Sequence, residues 1–476
     1  MNSTAHNFKA NATVALADVQ LQAALGNLKG GLVANRTRAK NALPEFEALR
    51  EVAKDIKNHT IANLDLYLEA YEKNARAAGA IVHYAETAAD ARELILKICR
   101  DADAKVVTKG KSMVSEEIGL NAHLEAAGGI EVVETDLGEY LVQIRHETPS
   151  HIIAPAIHLT QDQVEQDFRR LHTHLPKDRV LVEPAQLVDE ARKILRQKFI
   201  SADVGITGAN FLVAETGSSI IVTNEGNGDL TQSLAKTHVV ITSIEKLVPT
   251  LEDVSTILRL LARSATGQEF STYTTFSTGG RRAADPDGPV NYHVVILDNG
   301  RTDLIGTEFQ DVLRCIRCGA CMNHCPVYGA IGGHAYGWVY PGPIGSVLTP
   351  ALIGVKEAGN LPNASTFCGK CADVCPMKIP LPDLMRHWRE AEFAAGDLPA
   401  AMKAGLKGWA FFAKRPRLYH LAAKLGIPAV SLFGRRRGRF AKLPFAGGWT
   451  RHRDMPAPQG RTFQQLWAEH QAGVKR

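Results

Sequence analysis

The chain has 476 residues, 45% hydrophobic and 22% charged, with a formal net charge of +5. That is the composition of an ordinary globular protein, long enough for two to four domains, and it excludes a disordered chain. No run of 18 apolar residues offers a spanning helix, and the start, MNSTAHNFKANATVALADVQ, lacks the charged and apolar regions of a signal peptide. The chain is therefore expected in the cytoplasm. The N-x-S/T triplets at Asn2, Asn11, Asn35, Asn58 and Asn363 are then chance matches rather than glycosylation sites.

Residues 1–60 read as a helical region, rich in Ala, Leu, Lys and Glu, with no proline before Pro44. From 61 to 300 helical stretches alternate with β-branched apolar runs. Candidate strands are 104–108, 130–134, 151–154, 217–224, 239–243 and 292–297. Thr250 and Asp253 form a capping box, followed by Val254, Ile257, Leu258 and Leu261 at helical spacing. This alternation predicts an α/β sheet covered by helices. Three polar stretches interrupt it: Lys109-Gly110-Lys111-Ser112 with Glu116 and Glu117; Glu134 to Tyr140; and Ala214 to Ser219 running on to Thr223–Asn227. Several lie where candidate strands end, the position at which open α/β sheets bind ligands, and the lysines there can hold a carboxylate or phosphate; ordinary strand-to-helix loops are the alternative.

Residues 301–395 hold seven of the eight cysteines. Thr307 with Gln310 is placed to cap a helix whose buried face is Phe309, Val312, Leu313 and Ile316. Cys315, Cys318, Cys321 and Cys325 form C-x2-C-x2-C-x3-C before Pro326; Cys368, Cys371 and Cys375 form C-x2-C-x3-C before Pro376. The first run is the bacterial ferredoxin pattern, in which three thiolates serve one cubane and the fourth serves its neighbour. Crossed ligation assigns Cys315, Cys318, Cys321 and Cys375 to a first [4Fe-4S] cluster and Cys325, Cys368 and Cys371 to a second. With three cysteines the second is a [4Fe-4S] or a [3Fe-4S] cluster, and His324 and His334 are the nearby candidates for a fourth ligand. Zinc sites favour two separated C-x2-C pairs, which this pattern is not. The remaining Cys99 reads as an inert buried thiol. Between the runs, Tyr328, His334, Tyr336, Trp338 and Tyr340 are placed to wrap the clusters.

Residues 396–476 form a basic C-terminal region. From 401 on there are 16 Lys and Arg against Asp454 and Glu469, while the first 400 residues hold 39 basic and 48 acidic residues, a balance of −9. Arg435-Arg436-Arg437-Gly438-Arg439 and the aromatics Trp409, Phe411, Phe412, Tyr419, Phe440 and Trp449 lie there. Such a region suits an acidic protein partner, an anionic surface or nucleic acid. No G-x-G-x-x-G follows a strand and no P-loop is present, so a Rossmann-type nucleotide site is unsupported.

The stretches KGKSMVSEEIGL (109–120), ETDLGEY (134–140), PSHIIAPAIH (149–158), 205–227, CIRCGACMNHCPVY (315–328), 336–350 and CGKCADVCP (368–376), with the ending near Trp449 to Pro456, together resemble the lactate utilisation protein B family. These are the iron–sulfur proteins of the bacterial three-protein lactate-utilisation system. The resemblance implies a LUD domain, related to the ribose-5-phosphate isomerase and CoA-transferase folds, followed by an α-helical ferredoxin-like two-cluster domain. It implies an electron-transfer role in oxidising L-lactate to pyruvate with two partners, a cysteine-rich-domain protein and a second LUD protein. It supplies no catalytic residue. Other readings are service to another 2-hydroxy acid such as glycolate, contact with a membrane-surface electron acceptor, or a redox-sensing nucleic-acid-binding regulator; no nucleic-acid module supports the last.

Overall fold

The computed structural model describes residues 3–396, 398–434, 438–440, 442 and 454–474. Arg435, Arg436, Arg437 and Trp449 lie outside the described residues. One compact unit runs to Glu392 and a second begins at Phe393.

The first unit is built on ten strands: β1 Ile81–Ala85, β2 Val106–Gly110, β3 Glu131–Glu134, β4 Val204–Thr207, β5 Phe211–Val213, β6 Ser218–Thr223, β7 Thr237–Ser243, β8 Leu247–Val248, β9 Tyr273–Ser277 and β10 Asn291–Leu297. Six of them form a sheet in the order β1-β10-β7-β4-β2-β3, and every pairing in it is parallel. A parallel sheet needs cover on both faces, and the side-chain alternation supplies it. Val239, Ile241, Val295 and Leu297 point into one core with Ile95, Leu96 and Cys99 of the helix Ala88–Asp101. Val240, Val294 and Ile296 point into the other with Tyr71. The remaining strands form a four-stranded sheet, β8-β5-β6-β9.

The helix Leu251–Ala265 begins at the expected capping box: the Asp253 N–H donates to Thr250 Oγ1 at 3.1 Å, and the Thr250 N–H to Asp253 Oδ2 at 3.2 Å. Its four periodic apolar residues are buried. Cys99 is fully buried, and burial pushes its thiol up to about 12. Two expectations fail. Residues 151–154 form a bent loop, not a strand, because His151 Nδ1 accepts the N–H groups of Ile153 and Ala154 (3.1 and 3.2 Å) and folds the segment around its own ring. Thr307 and Gln310 do not close a capping box. The Thr307 hydroxyl donates to the Leu304 carbonyl, and a 3-10 turn, Gln310–Arg314, follows; Phe309, Val312, Leu313 and Ile316 are nevertheless buried.

The N-terminal helices, among them Phe8–Ala17, Val19–Leu28 and Phe46–Ala62, share one apolar core with the cysteine-bearing segment. The second unit holds the helices Ala400–Ala413, Pro416–Gly434 and Phe463–Val474 and the short antiparallel pair Arg439–Phe440 and Met455–Pro456. Trp409, Phe411, Phe412 and Leu425 are exposed there.

Candidate iron–sulfur centre and adjoining cavity

The two cysteine runs adopt the same local backbone. Arg317 before Cys318 and Phe367 before Cys368 both have left-handed φ (58° and 54°), and Gly319 and Gly369, one residue after those cysteines, have φ of 73° and 79°. Each glycine opens a short helix, Ala320–Asn323 or Lys370–Val374. A non-glycine residue held left-handed costs energy that surrounding contacts must offset, and such strain gathers at functional sites. A Cβ on Gly319 would also lie 3.1 Å from His151 Cε1.

The cysteines are free thiols, and they fall into two sets. Cys315, Cys318, Cys321 and Cys375 line one cavity of about 20 Å³ with Ile152 and Arg317. Burial pushes Cys318 up to about 12, with Cys375 and Cys315 adding to it. Burial likewise raises Cys371 to about 12, and there the reinforcing neighbours are Cys325 and Cys368. Left alone these buried thiols would be neutral at pH 7. A bound metal deprotonates a coordinating thiol outright, so a donor set of unpaired thiols, four of the seven buried, fits an iron–sulfur group. Backbone N–H groups already face the sulfurs: that of Arg317 reaches Cys315 Sγ at 3.4 Å and that of Ile379 reaches Cys375 Sγ at 3.5 Å.

Distant segments lock the loops. Arg50 donates through Nε and Nη2 to the Cys375 carbonyl (3.0 and 2.6 Å), and Arg36 donates to the Val374 carbonyl at 2.8 Å. His151 Nε2 donates to Asn323 Oδ1 at 2.8 Å; burial lowers this imidazole to about 4, so it stays neutral. Neither histidine named as a fourth ligand stands free for that role on both ring nitrogens. His324 Nδ1 lies 2.9 Å from the Ala320 carbonyl. His334 Nε2 lies 2.6 Å from the Thr148 carbonyl and its ring packs on His158.

The polar stretches converge on a larger cavity, about 540 Å³, at the carboxyl ends of β2, β3, β4 and β7. Lys111, Ser112, Asp136, Glu139, Asn224 and Glu225 line it. Lys111 pairs with Asp136, and Glu139 accepts the Lys111 N–H at 3.0 Å. Burial raises Glu139 to about 8, helped by Glu134 and Asp136. Other members of those stretches turn away. Lys109 is buried against Glu116 (2.5 Å) and Glu134 (2.7 Å). Ala214 to Ser219 packs on the helix Leu64–Ala77, where Asn74 donates to the Ala214 carbonyl at 2.8 Å.

Sequence reasoning missed three other lining residues, Lys246, Arg317 and Tyr340. Arg317 sits between the first two cysteines and so borders both cavities, as does Ile152. A buried ionic chain stands behind it. Arg301 pairs with Glu117 (2.6 Å) and Glu245 (3.0 Å), Glu245 with Arg317 (3.1 Å), and the Tyr340 hydroxyl donates to Glu117 at 2.7 Å. Burial alone would raise Glu245, but Arg301, Arg317 and Lys246 outweigh it and hold the carboxyl down to about 2. Burial lowers Lys246 to about 8.

Fold and thiol sets define a LUD-type α/β domain joined to a two-cluster iron–sulfur domain. The comparisons agree: the LUD domain family matches residues 68–297, the 4Fe-4S dicluster domain residues 311–379, and the "Lactate utilisation protein B, C-terminal" family residues 394–472. Proteins named lactate utilization protein B are similar along the whole chain. One from Geobacillus sp. (strain WCH70) is 42% identical over 99% of this chain and 98% of its own; one from Macrococcus caseolyticus is 42% identical over 97% of each; one from Geobacillus thermodenitrificans is 44% identical over 90% of each. The chain belongs to the lactate utilization protein B family. Among solved structures, a DUF162 family protein from Deinococcus radiodurans covers 49% of this chain and 98% of its own at 15% identity, with a TM-score of 0.28, too low to carry an argument.

Proposed function

We propose that this protein is a cytoplasmic iron–sulfur electron carrier in the oxidation of L-lactate to pyruvate, working with a cysteine-rich-domain protein and a second LUD protein. The observation that carries the reading is the pairing of seven thiols in two sets with likeness over nearly the whole chain to proteins named for lactate utilization. Cys315, Cys318, Cys321 and Cys375 would hold one four-iron cluster; Cys325, Cys368 and Cys371 would hold a second of three or four irons. Bound there, the clusters supply one-electron transfer. The chain's own part is to hold the thiols on strained loops, to aim N–H groups at their sulfurs, and to exclude water from the first set. Among the described residues no helix is long and apolar enough to cross a membrane, and the exposed aromatics of Ala400–Ala413 suit docking to a protein partner.

The test is a deletion strain in an organism with no second lactate dehydrogenase. Growth on L-lactate is expected to stop and growth on pyruvate to continue; unchanged growth on lactate refutes the assignment. Anaerobically purified protein with its partners is expected to show lactate-dependent reduction of the clusters. Stoichiometric zinc with no iron would remove its basis.

A further inference from the structure

The 540 Å³ cavity lies at the point where strand order reverses. The chain runs from β2 outward to β3, then returns to β4 on the other side of β2. In open α/β sheets the crevice at such a switch, outside the carboxyl ends of the strands, is where ligands bind. The size falls within the range for small-molecule sites. Nothing in the electron-carrier role requires a cavity here.

Its charges are arranged unequally. Asp136 is already neutralised by Lys111. Elsewhere on the wall Lys246 is only 6% exposed, and among the described residues its Nζ makes neither a hydrogen bond nor an ion pair, although Glu245 attracts it. Beside it Arg317 spends Nη2 on Glu245 at 3.1 Å, and its Nη1 is buried without a partner. Thr223 Oγ1, also on the cavity wall, is buried and unpartnered. Buried cationic N–H groups left without an acceptor are costly unless a ligand anion completes them. Ile152, Val222 and Leu261 supply apolar wall for a short carbon skeleton. Neither a P-loop nor a G-x-G-x-x-G lines the cavity to cradle a phosphate.

We propose that this cavity binds a small 2-hydroxy or 2-oxo carboxylate, its carboxylate held by Lys246 and Arg317 beside the Cys315 loop. The choice of this acid class rests on the lactate reading above; the anion site rests on the geometry alone. Arg317 borders both cavities, so a bound acid lies against the wall of the first thiol set.

The experiment is calorimetric titration of the anaerobically purified full chain, clusters loaded, with L-lactate, pyruvate, acetate and inorganic phosphate. The electron paramagnetic resonance of the reduced clusters is recorded with and without each. Lactate or pyruvate is expected to bind at least tenfold more tightly than acetate or phosphate, and to perturb one cluster signal. Lys246→Met is expected to weaken that binding at least tenfold at unchanged iron content, and Lys246→Arg to restore most of it. Ala262→Leu, which fills the cavity from the helix Leu251–Ala265 without touching a charge, is expected to abolish it. Equal binding of phosphate overturns the carboxylate assignment. Undiminished binding by Lys246→Met and Ala262→Leu overturns the site. Absence of binding to the wild type, with lactate-dependent cluster reduction by the partner proteins intact, overturns this inference and leaves the electron-carrier reading standing. Binding with no such reduction does the opposite.

Discussion

The two thiol sets share a backbone motif but differ in surroundings. The first has four cysteines, three of them buried, and its wall is shared with a cavity in the α/β domain through Arg317 and Ile152. The second has three cysteines, and Cys368 is exposed beside Phe367, itself 40% exposed. One local sequence pattern has thus been placed once facing a chemical interior and once near solvent. The inner set suits exchange with a bound small molecule; the outer set suits exchange with another protein. With a small acid bound at the inner wall as proposed above, this asymmetry would give electrons a direction that cysteine spacing alone does not.

The largest effect is expected from the cysteines themselves. Cys375→Ser should remove the group held by Cys315, Cys318 and Cys321, although Cys375 lies in the other run, and lower the iron content by about four per chain. Cys325→Ser should remove the other group and leave that of the first set. Iron analysis with Mössbauer spectroscopy of each variant distinguishes these outcomes; loss confined to each residue's own run would refute crossed ligation.

Breaking the ionic chain behind the inner set comes next. Arg301 is fully buried and holds both Glu117 and Glu245. Arg301→Met leaves two buried carboxylates short of a partner and is expected to cost about 3–5 kcal/mol. The loss is to be read from thermal unfolding of the anaerobic protein. Arg386→Met, at an exposed pair of 3.4 Å on the helix Leu381–Ala395, should cost less than about 1 kcal/mol. Equal losses would show that burial of the chain is not what stabilises this wall.

Docking to a partner is tested separately. Truncation after Pro399 should leave the iron content unchanged and lose copurification of the partner proteins, because it removes the basic region and the exposed aromatics. Copurification that survives at moderate salt would refute a docking role for that region.

What the sequence reveals of this asymmetry is uneven, for physical reasons. The thiols were legible because iron–sulfur ligation fixes residue type and spacing within a few positions. The strands β2, β3, β6, β7 and β10 were legible as β-branched runs. Strand β4 was not: its Gly205 weakens the signal, and the glycine is needed because a Cβ there would lie 1.9 Å from the Thr231 carbonyl. The run Ile152-Ile153 looked like a strand, yet His151 caps it into a loop that serves the cysteines. One wall of the cavity was foreseen from polar residues at strand ends. The other was not, because Lys246 and Arg317 are 71 positions apart and only the fold brings them together.

The smallest effect concerns the foreseen wall. Lys111 has a left-handed φ of 57°, and the Glu139 carboxylate accepts its N–H. Burial, with Glu134 and Asp136 nearby, raises Glu139 from the usual carboxylate range to about 8. A carboxyl raised on folding holds its proton in the native state after the unfolded chain has released it. Its contribution is therefore fully present at acid pH and is lost as pH rises through that interval toward 8. One such proton limits the slope to about 1.4 kcal/mol per pH unit, and a shift of 1 kcal/mol moves Tm by roughly 2–4 °C in a domain of this size. Tm of the wild type is accordingly expected to fall between pH 6 and 8. Glu139→Gln cannot ionise and can still accept the Lys111 N–H through its amide oxygen, so its curve should be flatter and should cross above that of the wild type near the alkaline end. Parallel curves for the two proteins would place the pH sensitivity elsewhere, and would leave the strained Lys111 turn held by the hydrogen bond alone.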